Sequence, residues 1–244
     1  MDIGDLDAAI EMFQSILSVN PSEPTSHLNL GIIYTRKRQM NDAIASFEEA
    51  IALDPNLIQG HFLLGQVYAA TGQREKAERT FKEAIEISPE NPGGHHLLGL
   101  LYQSRGLVQK AIESFKKVVS LRSDGREVQQ AKARLEGFKK EADVRIEKGL
   151  QELKNGNRDV AKKLFKEALN FDPDNAVVLF YLGTLSAQKK ELDDAVQFFK
   201  EALEKEREYY LVRLHLAETY EKQGDTGKAI KQYQAVLDDI PDLK

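Results

Sequence analysis

The sequence predicts an all-α fold assembled from helical hairpins that repeat along the chain. Seven alanines follow one another at separations of 34, 34, 34, 50, 34 and 34 residues, and an aromatic residue stands four positions after each of them. Between these markers, apolar residues lie three and four positions apart, the spacing that puts side chains on one stripe of a helix. The repeated pairs are Ala9 and Phe13, Ala43 and Phe47, Ala77 and Phe81, Ala111 and Phe115, Ala161 and Phe165, Ala195 and Phe199, and Ala229 and Tyr233.

The clearest copy of the unit begins with a helix that we call A-type. His61, Leu64, Gly65 and Tyr68 stand at positions i, i+3, i+4 and i+7, so they share one face of this helix. Gly72 follows, and glycine adopts a left-handed backbone at low cost, which allows it to end a helix and reverse the chain. The sequence therefore predicts a turn between residues 71 and 74.

The second helix of the unit, which we call B-type, carries Ala77, Phe81 and Ala84 on one stripe. Pro89 ends it, because the residue before a proline is disfavoured in the helical conformation. Gly65 and Ala77 have almost no side chain, so the two helices can approach closely there. Phe81 is then predicted to fill the wedge between neighbouring hairpins.

This unit resembles the tetratricopeptide repeat (TPR), with its Leu-Gly-x-x-Tyr, Ala-x-x-x-Phe and terminal proline elements and its period of 34 residues. His27, His61 and His95 stand where the family usually has a large aromatic residue. The resemblance covers nearly the whole chain. It implies a right-handed α-solenoid, or superhelix, and a non-catalytic scaffold that binds proteins.

Three segments are predicted. Residues 1–121 form a first TPR block of a half repeat and three full repeats, residues 122–141 form a helical insertion that caps or joins the blocks, and residues 142–244 form a second block of three repeats. Apolar residues keep a spacing of three to four from Val128 to Leu153, which predicts one helix from about Arg126 to Asn155. Gly137 is the position at which this helix is most easily bent.

Both ends of the repeat array are predicted to be uncovered. Gly4 and Asp5 align with the turn of the other units, so residues 9–21 would form a B-type helix without its A-type helix. We expect either a chain shortened at this end or one that borrows a helix from a partner. The fourth repeat is predicted to end at Ser123 and the seventh at Pro241. Self-association would use Ile10, Phe13, Leu17, Tyr233 and Leu237.

The composition excludes several kinds of functional site. The chain has no cysteine, which excludes disulfides and thiolate sites, and it has no run of 18 apolar residues that would span a membrane. Residues 122–170 carry 13 basic and 9 acidic side chains, a balance typical of a solvated face more than of a nucleic-acid surface. We find no phosphate loop, no paired acids in a predicted pocket and no candidate catalytic residue. The chain is predicted to bind no cofactor and no small-molecule substrate.

The histidines do not predict a metal site. His27, His61 and His95 are one repeat apart, so equivalent atoms should be separated by about 8–10 Å or more. His95 and His96 point about 100° apart on one helix. A structural role in the aromatic position of the repeat is therefore favoured.

A partner-binding groove is predicted on a second stripe of the A-type helices, about 140° around each helix from the first. The resemblance implies that this stripe lines the concave face. Two interpretations stay open: the stripe binds a helix or extended peptide of a protein partner, or neighbouring A-type helices bury it. The groove residues are Leu28, Asn29, Ile32, Phe62, Gln66, His96, Leu100, Val177, Phe180, Thr184, Leu211 and Leu214.

One specialised form of TPR groove is disfavoured. The TPR domains that bind the carboxylate tail of heat-shock chaperones use lysine, asparagine and arginine on their A-type helices. Asn29 matches the asparagine, but Gln59 and Leu63 occupy clamp positions that should be basic. The alternative function from a different class is a structural scaffold that oligomerises through its uncovered ends.

Overall fold

A computed structural model describes residues 3–121 and 125–239 of the chain. These residues form helices and connecting turns, with no strand in either range. The chain divides between Leu135 and Glu136 into two compact units. The all-α fold and its α-solenoid class are confirmed.

The first unit contains one unpaired B-type helix, three hairpins and the beginning of a long helix. The helices are α1 (Ile3–Val19), α2 (Pro24–Arg36), α3 (Met40–Leu53), α4 (Ile58–Ala70), α5 (Arg74–Ile87), α6 (Pro92–Ser104) and α7 (Val108–Ser120). Helices α2, α4 and α6 are A-type, and α1, α3, α5 and α7 are B-type.

The long helix α8 (Arg126–Lys154) confirms the prediction of one helix that is continuous through Gly137. Its last part supplies the A-type helix of the next hairpin. The second unit continues with α9 (Arg158–Leu169), α10 (Ala176–Gln188), α11 (Leu192–Lys205), α12 (Tyr210–Gln223) and α13 (Thr226–Asp239). Ser123 and Pro241, the predicted ends of two repeats, lie outside the described residues.

Five of the six hairpins in the described residues are closed by a glycine on the A-type helix that faces the phenylalanine ring of the B-type helix. A Cβ built on Gly65 would lie 2.3 Å from a ring carbon of Phe81, and the five such glycines give distances of 2.3 to 2.7 Å. All five rings are at most 2% exposed. Because no Cβ fits, the ring packs directly on the helix backbone. The pairs are Gly31 and Phe47, Gly65 and Phe81, Gly99 and Phe115, Gly149 and Phe165, and Gly183 and Phe199.

The seventh repeat has an alanine in place of this glycine. Ala217 of α12 stands 16 residues before Tyr233, the same separation as between Gly65 and Phe81. Ala217 is fully buried, whereas the ring of Tyr233 is only half-buried and its hydroxyl donates a hydrogen bond to Glu221 at 3.1 Å. In the hairpin that pairs Ala217 with Tyr233, the aromatic ring is therefore less buried than the phenylalanine rings of the other five hairpins.

The turns within the hairpins need a left-handed residue. Gly72 has φ +78°, as the sequence predicts, and no atom would meet a Cβ there. At the equivalent positions, Arg38 has φ 60° and Lys190 has φ 65°. These two non-glycine residues keep the same turn in a conformation that costs L-residues about 1–2 kcal/mol.

The prediction for the start of the chain is wrong in one respect. Gly4 and Asp5 lie inside α1, which begins at Ile3, and do not form a turn. A turn at this position is needed only to join two packed helices, and no packed helix precedes α1 in the described residues. Without that constraint, the backbone continues the helix toward Ile3.

Polar contacts connect successive repeats. The Tyr102 hydroxyl and the Arg105 guanidinium donate to the Glu78 carboxylate at 2.9 and 2.6 Å, and Lys82 donates to it at 2.9 Å. The hydrogen bonds from Lys82, Tyr102 and Arg105 lower the pKa of Glu78 to about 2. The tyrosine of the A-type motif therefore has a second role, since it links α6 to α5 of the preceding repeat.

Candidate partner-binding groove

An apolar pocket lies between α2 and α4 in the first unit. Its volume is about 360 Å³, and it is open to solvent on one side. Ile32 and Gln66, both predicted groove residues from successive repeats, meet at this pocket. The remaining lining residues are Thr35, Arg36, Met40, Leu63, Val67 and Ala70. Such a cavity has room for one large apolar side chain of a bound peptide.

The A-type helices of the first unit are almost without charge. Helices α4 and α6 contain no Asp, Glu, Lys or Arg, and α2 contains only Arg36 of these four residue types. The B-type helix α5 has the sequence REKAERTFKEAIEI, in which charged residues predominate. The charged side chains of these hairpins are therefore concentrated on the B-type helices, and the pocket suits an apolar partner more than an ionic one.

Two of the predicted groove residues in the first unit do not face open surface. Leu28 is 5% exposed and His96 is 7% exposed. Phe62 is half-buried, and its ring lies 3.0 Å from the position of a Cβ on Gly93, so it packs on the first turn of α6. Leu28, Phe62 and His96, which are equivalent residues of three successive repeats, are thus buried or half-buried. Asn29, Ile32 and Leu100 are half-buried, and Gln66 is exposed.

His96 is further enclosed by the beginning of α8. The charges of Glu127 and Arg134 on this helix act on the pKa of the His96 ring. The ring centroid of Phe115 lies 5.9 Å from that of His96. Burial lowers the pKa of His96. The neutral imidazole therefore serves as part of the core where the sequence predicts a partner contact.

In the second unit, the predicted stripe divides in a similar way. Phe180 is half-buried in an aromatic cluster, with ring centroids 5.1 Å from His215 and 5.7 Å from Tyr209. Thr184 and Leu214 are half-buried, whereas Val177 and Leu211 are exposed by 42% and 39%. Val177 and Leu211 thus provide the open apolar surface of this stripe.

The residues predicted for self-association are placed on α1 and α13. Ile10, Phe13 and Leu17 are half-buried, and Tyr233 is half-buried as well. Leu237 is 38% exposed. The most exposed apolar residues of these two helices are others, which the sequence analysis did not select: Met12, Ile16, Val19 and Ile230.

The repeated histidines bind backbone carbonyl groups. Nε2 of His27 lies 3.0 Å from the Pro21 oxygen, and Nε2 of His61 lies 3.0 Å from the Pro55 oxygen. Each ring reaches six residues back to the segment before its own helix. This contact gives a structural reason for histidine in the aromatic position of the repeat.

Sequence reasoning missed most of the pocket lining. On α4, Leu63, Gln66, Val67 and Ala70 stand at i, i+3, i+4 and i+7, so the signal was present as a helical stripe. The predicted stripe was centred on Phe62 instead. In the structure, the stripe of α4 that lines the pocket begins one residue later, at Leu63, because Phe62 packs on α6.

The two units define a class of protein: α-solenoids of helical hairpins with a glycine and a phenylalanine at each close helix contact. Family profiles described as tetratricopeptide repeat match residues 61–126 together with 146–210, residues 22–90, and residues 186–243. The chain belongs to the tetratricopeptide repeat family. The repeats support a general role as a protein-interaction scaffold.

One protein and two solved structures illustrate what this chain is similar to. The human protein DnaJ homolog subfamily C member 7 is 30% identical over 94 residues, which are 37% of this chain and 19% of that protein. The crystal structure of YrrB, a TPR protein with an unusual peptide-binding site, is 16% identical, with a TM-score of 0.42 over 96% of this chain and 94% of its own. A tetratricopeptide repeat protein from Parabacteroides merdae ATCC 43184 is 16% identical, with a TM-score of 0.48 over 97% of this chain and 88% of its own.

Membrane insertion finds no support in residues 3–121 and 125–239. None of the helices there combines the length and the apolar character that crossing a bilayer requires.

Proposed function

We propose that the chain is a non-catalytic scaffold that binds a peptide or helix of a partner protein through the pocket between α2 and α4. The pocket itself carries this proposal, since it joins Ile32 and Gln66 of successive repeats into one apolar cavity of about 360 Å³. A leucine or phenylalanine side chain of the partner would occupy it. Leu63 and Val67 would contact this side chain from α4.

Helices α4 and α6 carry no Asp, Glu, Lys or Arg, and this determines which interactions would supply the binding free energy. Burial of apolar surface would supply most of the binding free energy, and ion pairs would supply little. Binding should therefore change little between low and high salt, in contrast to a groove that recognises a carboxylate.

Filling the pocket tests the proposal without placing a charge in the core. Ala70 lines the pocket and is exposed, so Ala70→Trp should occupy the cavity. Ala45 is exposed on the B-type helix α3, and Ala45→Trp is the matched control. Peptides selected from a random displayed library on the wild-type chain would be titrated against both variants.

We expect the selected peptides to share one large apolar residue and to bind Ala70→Trp about tenfold or more weakly, a loss of about 1.4 kcal/mol. Ala45→Trp should bind them as the wild type does. Equal binding by both variants, with unchanged circular dichroism, would place the binding surface elsewhere and reject this site.

Self-association is the second candidate function. It is favoured by the exposure of Ile230, which is 60%, on helix α13. Sedimentation velocity should then show assembly that grows with concentration and is lost in Ile230→Glu. A single monomeric species across the concentration range would exclude it.

A further inference from the structure

One histidine is enclosed at a position where the two preceding repeats have apolar residues. His96 is 7% exposed, and its equivalents in α2 and α4 are Leu28 and Phe62. The Nε2 atom of His96 is buried and has no hydrogen-bond partner among residues 3–121 and 125–239. A neutral imidazole has a single N–H group, whereas an imidazolium has two N–H donors and a charge, which are costly to bury without acceptors. Protonation is therefore unfavourable while His96 stays enclosed.

The start of α8 (residues 126–135) forms one wall of this enclosure. It belongs to the first unit and takes the place of a next A-type helix, because Glu127 stands 34 residues after Gly93 just as His96 stands 34 residues after Phe62. The Phe62 ring lies 3.0 Å from the position of a Cβ on Gly93. The same register places the His96 ring against the first turn of α8.

The groups that face His96 come from two neighbouring helices. Helix α7 contributes the uncharged ring of Phe115, whose centroid is 5.9 Å from that of His96. Helix α8 contributes Glu127 and Arg134, whose charges act on the imidazole in opposite directions. Burial is the largest influence, and it lowers the pKa of His96 from its ordinary value of 6.5.

The contact between α6 and the start of α8 should therefore weaken in acid. If α8 is undocked, water reaches the imidazole and its pKa returns to about 6.5. As the pH falls below that value, the undocked form binds a proton more readily than the docked form, so docking loses stability. The loss continues down to the lowered pKa of the docked form, and in this interval the opening equilibrium rises by up to about tenfold per pH unit.

We propose that protonation of His96 releases the start of α8 from α6, so that acidification uncovers apolar surface of the first unit. Val128 and Ala131 on the released segment are 2% and 0% exposed while it is docked. The proposal concerns this helix contact and does not depend on the pocket between α2 and α4.

The chain has no cysteine, so one introduced thiol can report the opening. Val128→Cys places this thiol on the buried side of α8, and an aromatic disulfide reagent would react with it only after α8 opens. Thr80→Cys on α5 is the matched control, because Thr80 is 3% exposed in the same unit. The rates would be measured on the whole chain from about pH 7.5 to 5, on both sides of the ordinary histidine pKa. Each rate would be divided by that of a cysteine-containing unstructured peptide at the same pH.

We expect the corrected rate for Val128→Cys to rise by up to about tenfold per pH unit below about pH 6.5, while that for Thr80→Cys stays constant. His96→Leu, which introduces the residue of the equivalent position in α2, should remove the rise. His95→Phe should keep it. Glu127→Gln should increase it, because loss of the negative charge lowers the pKa of docked His96 further.

Four results would overturn the proposal: a constant rate for Val128→Cys, an equal rise in the His96→Leu background, loss of the rise in His95→Phe, or an equal rise in Thr80→Cys. The last result would show that the whole unit opens in acid. Circular dichroism would show whether each variant keeps its helices. If His96→Leu does not fold, an unchanged or smaller rise in Glu127→Gln rejects the proposal instead.

Discussion

Gly65→Ala and Gly137→Ala should change stability in opposite directions, although both glycines lie inside helices. Alanine is favoured over glycine in a helix interior by about 1 kcal/mol. A Cβ on Gly137 meets no atom within 4 Å, so Gly137→Ala should gain this amount. A Cβ on Gly65 would lie 2.3 Å from a ring carbon of Phe81, well inside the contact distance of about 3.5–4.0 Å.

The Phe81 ring has little room to move, since it is 2% exposed. Overpacking of this kind costs about 1–3 kcal/mol. We take the upper part of that range, because the Cβ would lie more than about 1 Å inside the contact distance of the ring carbon. After the gain in helix propensity is subtracted, Gly65→Ala should destabilise its hairpin by about 1–2 kcal/mol.

Native-state hydrogen exchange is the appropriate assay, because repeat proteins open locally and a single unfolding free energy does not describe two units. Amides of α4 and α5 should exchange faster in Gly65→Ala, and amides of α8 should exchange more slowly in Gly137→Ala. Phe81→Leu in the Gly65→Ala background should cost less than the two single changes together, with a coupling of about 1 kcal/mol. Stabilisation by Gly65→Ala, or strict additivity with Phe81→Leu, would refute the close contact.

The remaining predictions concern turns, a carboxylate and a core ring. Arg38→Gly and Lys190→Gly should each stabilise their hairpins by about 1 kcal/mol in denaturant titrations, because both residues have positive φ; unchanged midpoints would argue against strain there. The folded-state pKa of Glu78 lies at about 2, below its ordinary value of 4.5, so its stabilisation is present above that value and is lost as the pH falls toward 2. Glu78→Gln should therefore flatten the acid side of the stability profile, and an unchanged profile would show that the network contributes nothing. Phe199→Ala should cost about 3–5 kcal/mol, since the ring is fully buried; a loss below 1 kcal/mol in calorimetry would contradict the core assignment.

Much of the fold could be predicted because the repeat imposes the same contact several times. A small residue and a large ring at a fixed separation mark where two helices meet, so Gly65 and Phe81 identify a hairpin without any coordinates. The prediction failed at Gly4 and Asp5 because it assumed a turn that only a preceding packed helix would impose. Periodicity reports which residues share a face, and it contains no information on whether another helix is present to cover that face.

The candidate site depended much more on tertiary structure. The sequence alone predicts the helical hairpins, the alanine and phenylalanine that are buried in five of them, and the scarcity of charge on α4 and α6. Only the structure decided that Leu28 is enclosed while Ile32 lines a pocket, since both lie on the predicted stripe of α2. Exposure along that stripe depends on the spacing of A-type helices about 34 residues apart in sequence, which no local pattern encodes.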